Sequence, residues 1–446
     1  MRLLRKLLWT YMPIFVIMPV FFIVLSLIPD RYASAYRDTG RKVFIKKEAG
    51  GYTLYRNGRP FFIQGATGNA FLAQLREAGG NTIRTYDTLQ LAAVLDEAQK
   101  NDIAVIVGLP LPMSVYRDYF YADEEKVSAV TEAFRSTVAR YKDHPALLMW
   151  CLGNEPVMTW KPGYSAFYKA YNRMLNMIHA TDPDHPVTTT IPNFNIAQVM
   201  MIRNKVPGLD LISFNTFGKL EQLNSQLKKY NWLWSGPFLV MEWGAYGPWE
   251  SEVTAWKAPL ENTSTKKAEH YRHMYRSLMP LKHPNFLGST VFFWGAKQEV
   301  TPTWFSMFSD SGGATESVAV MKELWKRTKP DTALPRLKYM LIDGKGARDN
   351  LMFRPGSARF AEFFLEGDNK AKIASVRWQI MEEDWYKNDK KKKQPAALLD
   401  TLAGIDSGRR LLFKAPVKEG PYRIYVSIAD GNGNIATANT PFYVLN

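Results

Sequence analysis

The chain holds a single cysteine, Cys151, among 446 residues, and one thiol cannot close an internal disulfide. Export to an oxidising compartment is therefore permitted but not demanded, and Cys151, set in an apolar run, reads as a small buried hydrophobe. Histidine is scarce too. Its six residues show no metal-binding pattern, and no Asp cluster has calcium-loop spacing, so neither metal nor cofactor is expected. No Gly-rich phosphate loop opens the first strand-helix repeat, which speaks against a doubly wound dinucleotide fold. A net charge of +15 comes without any nucleic-acid motif, so it suits a surface near anionic lipid or anionic polymer, not a nucleic acid.

What is present points to a large globular protein. The length favours one large domain plus a smaller one, and 46% apolar with 13% aromatic residues describes a packed core. Residues Leu7 to Ile28 are almost wholly apolar and follow Arg2, Arg5 and Lys6. About 20 apolar residues suffice to cross a bilayer as a helix, and the basic flank keeps the N-terminus cytoplasmic with the rest outside. Ala33-Ser34-Ala35 offers a small-residue cleavage site as the alternative, giving a secreted chain. The expectation is residues 1–35 as cytoplasmic tip and anchor or signal, with the remainder periplasmic or at the cell surface.

After a short β-rich lead-in with an Asn57-Gly58 turn, strand-like and helix-like runs alternate. Eight strands are predicted: Phe61–Gly65, Asn81–Tyr86, Ile103–Leu109, Leu147–Gly153, Val187–Ile191, Leu209–Asn215, Phe238–Trp243 and Thr290–Trp294. Helical patterns separate them, and an eighth, Glu316–Thr328, follows the last; Leu91, Val94, Leu95 and Ala98 carry the spacing of one apolar helix face. The count and length match an α/β fold of the (β/α)8 TIM-barrel type over residues 36–330. Pro330 to Pro335 is a linker, and residues 335–446 break into short strand-like runs split by Gly, Asn and Asp turns. These predict a C-terminal antiparallel β-sandwich, with Lys390 to Lys393 a solvated loop tip.

In a barrel, chemistry sits at the C-terminal ends of the strands. Two predicted strands end in a glutamate: Trp150-Cys151-Leu152-Gly153-Asn154-Glu155-Pro156 and Phe238-Leu239-Val240-Met241-Glu242-Trp243-Gly244. Two carboxylates facing one another across a sugar are what a retaining glycosidase needs. Glu155 is the candidate acid/base and Glu242 the candidate nucleophile. Asn154 can donate to a sugar 2-hydroxyl, and Arg84, the one basic residue in a predicted barrel strand, can hold an ionised carboxylate. Trp294, at the end of the eighth predicted strand, is a candidate floor for a sugar ring. Asp87, Glu250, Glu252 and Glu299 read as solvated loop acids.

The run Asp143-His144-Pro145-Ala146-Leu147-Leu148-Met149-Trp150-Cys151-Leu152-Gly153-Asn154-Glu155-Pro156 resembles the strand-4 motif of the retaining (β/α)8 glycoside hydrolase clan that includes families 2 and 5. Thr181-Asp182-Pro183-Asp184-His185-Pro186-Val187 is similar to the approach to strand 5 in that clan, and Val240-Met241-Glu242-Trp243-Gly244 to its nucleophile strand. Phe61-Phe62-Ile63-Gln64-Gly65, with Gly80-Asn81-Thr82-Ile83-Arg84-Thr85-Tyr86, also resembles β-1,3-glucanosyltransferases of fungal cell walls. The likeness spans roughly residues 55–300. It implies Glu155 as acid/base, Glu242 as nucleophile, Arg84 as the nucleophile's partner and Asn154 as the 2-hydroxyl contact. One departure stands out. The clan usually has a Tyr after strand 6 that bonds the nucleophile, whereas this chain reads Asn215-Thr216-Phe217, leaving Tyr86 and Tyr246 as candidate replacements and Asn215 as a further substrate contact.

The sequence thus predicts a membrane-tethered or exported retaining glycoside hydrolase or transglycosidase acting on a polysaccharide, β-glucan favoured, by double displacement. Its rival is a non-catalytic carbohydrate-binding scaffold beside a polysaccharide synthase or export system.

Overall fold

The computed structural model describes residues 41–112, 117–367, 371–383, 398–402 and 409–446. The apolar run Leu7–Ile28, the Ala33-Ser34-Ala35 site and the Lys390–Lys393 tip lie outside these residues. Among the described residues no helix is long and apolar enough to cross a membrane.

The chain opens with β1 (Val43–Glu48), β2 (Gly51–Arg56) and β3 (Arg59–Pro60), an antiparallel sheet. Asn57 and Gly58 turn β2 into β3 with φ of 51° and 72°, as a tight hairpin requires. Val43, Ile45 and Leu54 pack with Ile106, Met149, Leu239 and Met241 from inside the barrel that follows. The lead-in therefore plugs the N-terminal end of that barrel, leaving the other end for chemistry.

Eight parallel strands close the barrel: β4 (Ile63–Thr67), β5 (Thr82–Arg84), β6 (Ala104–Leu109), β7 (Leu147–Leu152), β8 (Val187–Pro192), β9 (Leu211–Asn215), β10 (Phe238–Trp243) and β11 (Phe286–Val291). β6, β7, β10 and β11 are buried along their whole length, which is why they read as continuous apolar runs. Helices follow each strand, with an additional Arg117–Ala122 helix before Glu124–Tyr141. Leu91, Val94, Leu95 and Ala98 all face the core as their spacing predicts.

The first strand lies two residues later than expected, the second is only three residues long, and the last is displaced most. β11 ends at Val291, before Phe292-Phe293-Trp294 begins. Gly288 hid it: a β-carbon there would meet the Ile63 carbonyl oxygen at 2.2 Å, so the residue is glycine for close strand packing, not for a break.

The C-terminal part is built of two sheets. One contains β12 (Ala314–Thr315), β14 (Met352–Phe353), β16 (Ser375–Glu382), β17 (Leu398–Leu402), β19 (Gly420–Ala429) and β20 (Asn434–Val444); the other contains β13 (Leu337–Ile342), β15 (Ala358–Leu365) and β18 (Arg410–Lys414). It is not purely antiparallel, because β12 and β14 both run parallel to β20. Nor does it begin at the linker: β12 precedes the Glu316–Lys326 helix, so the chain closing the barrel already contributes a strand to the sheet beyond it.

Candidate active site

β10 carries Glu242 into the C-terminal mouth of the barrel, where its carboxylate is almost wholly buried. Arg84, the last residue of β5, donates through Nη1 to Glu242 Oε1 at 2.7 Å. Tyr86, two residues on, donates its hydroxyl to the same oxygen at 2.9 Å, and its ring lies 3.9 Å from the Arg84 guanidinium. The place left vacant after strand 6 is thus filled from strand 2. Tyr86 stays a neutral donor: burial, and then the charge of Glu242, raise its hydroxyl well above the ordinary value.

Beyond β7 the backbone turns sharply. Gly153 and Glu155 sit at φ of 82° and 51°, the second a left-handed conformation that a non-glycine residue holds only against some strain. Its amide is fixed by Thr190 Oγ1 at 2.9 Å. Asn154 Oδ1 accepts from Arg84 Nη2 at 2.7 Å, from Thr190 Oγ1 at 3.1 Å and from Asn215 Nδ2 at 3.3 Å. With its oxygen so engaged, Asn154 presents its NH2 group to the cleft. Asn215 also donates to Glu155 Oε1 at 2.8 Å. The two glutamates are therefore ends of one chain of contacts, running Glu242, Arg84, Asn154, Asn215, Glu155.

Their electrostatics differ in kind. Burial, then the Glu242 charge, raises the Glu155 carboxyl above its ordinary value, with Asn215 and Arg84 opposing. Burial raises Glu242 as well, but the Arg84 charge and the Tyr86 hydroxyl bear directly on its oxygen and pull it back. Both carboxyls thus lie above their ordinary value, but the cation and the hydroxyl donor bear on the Glu242 oxygen, while Glu155 has an amide donor and a charged neighbour.

Both open into a cleft of about 920 Å³. Tyr86, Asn154 and Asn215 line it, together with Glu299, read above as a solvated loop acid, and side chains the sequence did not single out: Phe217, Trp249, Phe292, Phe293 and Lys297. Trp249 is 62% exposed and meets Phe217 edge to face with ring centroids 5.5 Å apart, an aromatic surface on the cleft wall. Lys297 Nζ lies 3.3 Å from Glu299 and within 5.2–6.0 Å of the ring centroids of Tyr86, Phe292 and Phe293.

Two expected contacts lie elsewhere. Trp294 is 0% exposed, packs against Phe308 and Trp325, and donates its indole N–H to the Phe71 carbonyl at 3.0 Å. It falls three residues past the end of β11, where the chain has turned out of the barrel mouth, so it is a core residue and not a sugar platform. Tyr246 rests against His270 at 4.8 Å and lines a second groove, between the barrel and the C-terminal sheets. Of the loop acids, Asp87, Glu250 and Glu299 reach the main cleft, and Glu250 also accepts from the backbone amides of Gly218 and Gly247. Thr190 had a sequence signal, since three successive Thr in a barrel strand must turn at least one hydroxyl inward. Lys297 and Trp249 had none, because loop spacing does not say which side chains fold back over a barrel mouth.

The closed barrel and its strand-end carboxylates resemble those of the (β/α)8 glycoside hydrolase clan that includes family 2. Residues 85–248 match the family model described as glycosyl hydrolases family 2, TIM barrel domain. The β-glucuronidase of Rattus norvegicus is 28% identical over 221 residues, which are 42% of this chain and 32% of that protein. The β-glucuronidase of Homo sapiens is 26% identical over 223 residues, with the same shares. The chain thus spans about one third of the length of the curated relatives it matches. Among solved structures, Bifidobacterium dentium β-glucuronidase complexed with coumarin-3-O-glucuronide superposes with a TM-score of 0.51 at 17% identity, over 65% of this chain and 50% of that one. This last likeness is one of fold.

Proposed function

We propose that the protein is a retaining β-glycosidase or transglycosidase that cleaves a glycan by double displacement, with Glu242 as nucleophile and Glu155 as acid/base. The observation that supports it best is the contact chain joining the two carboxylates through Arg84, Asn154 and Asn215 at one barrel mouth. Glu242 attacks the anomeric carbon while Glu155 gives its proton to the departing oxygen. Charge then leaves Glu242, its share in raising Glu155, second to burial, disappears, and Glu155 becomes the base that activates water or a sugar hydroxyl. Asn154 bonds the 2-hydroxyl, and Trp249, not Trp294, offers the stacking face. Two sugar classes are to be compared: β-glucan, from the glucanosyltransferase resemblance, and β-glucuronide, from the names of the relatives. The apolar Leu7–Ile28 run supports an extracytoplasmic site of action, tethered or secreted. The scaffold reading draws on the missing tyrosine, the apolar anchor run and the β-sandwich, and of these three Tyr86 answers the first by bonding Glu242.

The test is Glu155→Gln assayed on activated aryl β-glucosides and β-glucuronides. Loss of leaving-group protonation matters little for a good leaving group, so a first burst of phenol is expected, then a stall for want of a base. Azide needs no base and should restore turnover, giving a glycosyl azide of retained configuration. Glu242→Gln should release nothing with or without azide. If azide rescues no single-carboxylate variant, the roles are wrong. If the unaltered protein binds glycan but never turns it over, the scaffold reading prevails.

A further inference from the structure

Between the barrel and the C-terminal sheets lies a buried group of four charges: Glu261, Lys267, Arg423 and Glu383. Lys267 Nζ bonds Glu261 Oε1 at 2.5 Å, and Arg423 Nε pairs with Glu383. Asn439, on β20, joins the two pairs: it accepts from Arg423 Nη1 at 2.7 Å and donates to Glu261 Oε2 at 2.7 Å. Such a neutral but fully buried set is seldom the most stable way to fill an interface, since apolar residues of similar volume often serve as well or better. What it does supply is fixed direction. Its free end points at one loop: Glu261 Oε2 accepts from Thr301 Oγ1 at 2.6 Å, and Lys267 Nζ donates to the Thr303 carbonyl at 2.6 Å.

That loop is the one that brings Lys297 and Glu299 into the catalytic cleft. It folds back on itself at Val300, where the Glu299 and Thr301 backbones exchange hydrogen bonds of 3.2 and 2.7 Å. Val300 sits at φ 63°, a left-handed conformation that a β-branched side chain strongly disfavours. A residue stays there only when its surroundings over-determine it. Val300 packs against the cluster of Phe217, Phe292, Trp304 and Phe305, and Thr301 is fully buried, its hydroxyl bond to Glu261 linking the turn through Asn439 to the C-terminal sheets.

We propose that the C-terminal sheets are part of the active-site construction: Arg423 and Asn439 aim Glu261, Glu261 holds Thr301, and Thr301 fixes the turn that sets Lys297 and Glu299 against the substrate. Glu261, Thr301 and Asn439 are positioning residues, acting through the loop without touching the sugar. The kinetic part of this inference rests on the glycosidase reading above; the conformational part does not.

Thr301→Val, which keeps shape and removes the hydroxyl, and Asn439→Ala, which acts from the other domain, are the variants. Hydrogen exchange of peptides covering residues 296–303 should quicken about tenfold in both, with barrel strands and C-terminal sheets unchanged, and Thr301→Ser should restore protection. In kinetics, Thr301→Val should lower kcat/KM about tenfold, the worth of one buried hydrogen bond to a charged group. Placed on a Lys297→Ala, Glu299→Gln background, it should cost nothing more, because the groups it positions are gone. Unchanged exchange in the loop, or a rise spread equally through the C-terminal sheets, overturns the proposal. So does a kinetic loss that simply adds to that of the double variant. If the unaltered protein turns over no glycoside, the proposed function fails and the exchange result alone decides this inference.

Discussion

Tyr86→Phe removes one hydroxyl from the site and little else. In the resting protein that hydroxyl donates at 2.9 Å to Glu242 Oε1, the oxygen that Arg84 also holds at 2.7 Å. A buried hydrogen bond to a charged group contributes about 1.5–3 kcal/mol. That bond exists when Glu242 is a carboxylate and is weakened when Glu242 is an ester in the glycosyl-enzyme. Forming the intermediate therefore gives up the bond, and breaking the intermediate regains it. Its loss should leave attack on the sugar unhindered and slow the second step, by about 10- to 150-fold at one factor of ten per 1.36 kcal/mol. On an activated aryl glycoside, where the second step limits turnover, kcat and KM should fall together while kcat/KM stays within about threefold of the parent. Rapid mixing should show a larger burst, and intact-mass measurement should find the glycosyl-enzyme accumulating. The hydroxyl also helps keep Glu242 ionised, so without it the carboxyl rises and the acid limb of kcat/KM moves to higher pH. The reasoning is refuted if kcat and kcat/KM fall equally with no intermediate and an unchanged melting temperature. That pattern would place the bond in the first transition state.

Asn215→Ala removes the donor that favours the charged form of Glu155, so that carboxyl should rise further and the basic limb of kcat/KM should move to higher pH; a limb that stays or falls counts against the assignment. Trp294→Ala should cost about 3–5 kcal/mol in chemical denaturation through the cavity it leaves, with KM of the surviving folded protein unchanged. Trp249→Ala should do the reverse, raising KM for oligosaccharides while leaving the denaturation midpoint within about 1 kcal/mol of the parent. Membranes from cells making the full chain should retain it through a high-salt wash if Leu7–Ile28 is an anchor; mature protein beginning at Tyr36 would show cleavage instead.

What could be read from the sequence follows from how each residue is constrained. A barrel strand buried on both faces leaves an unbroken apolar word, and Leu147–Leu152 and Phe238–Trp243 are such words, so their strand ends, and Asn154, Glu155 and Glu242 with them, were legible. β11 was not, because Gly288 reads as a break until the backbone of Ile63 is seen pressing against it. The misplaced strand end carried Trp294 into the expected site with it. Arg84 was legible as a charge out of keeping with its strand, since a buried guanidinium must have a partner. The partner's second donor was narrowed to Tyr86 and Tyr246 and no further. Both are aromatic, both lie near a strand end, and only three-dimensional direction separates the one on Glu242 from the one on His270.

Loops carry the least of this kind of constraint, and the cleft walls are loops. Lys297, Glu299 and Trp249 obey no period, so nothing in their spacing distinguishes them from solvated neighbours such as Glu252, which pairs with Arg348 on the surface. Their positions are set by contacts distant in sequence: Thr301 to Glu261 across 40 residues, and Asn439 to Glu261 across 178. The strands carry the carboxylates, and their chemistry is written locally. Under the proposal above, the turn that carries Lys297 and Glu299 takes its shape from the C-terminal sheets through Thr301, Glu261 and Asn439. A change in β20 can therefore alter what the barrel accepts without touching either glutamate.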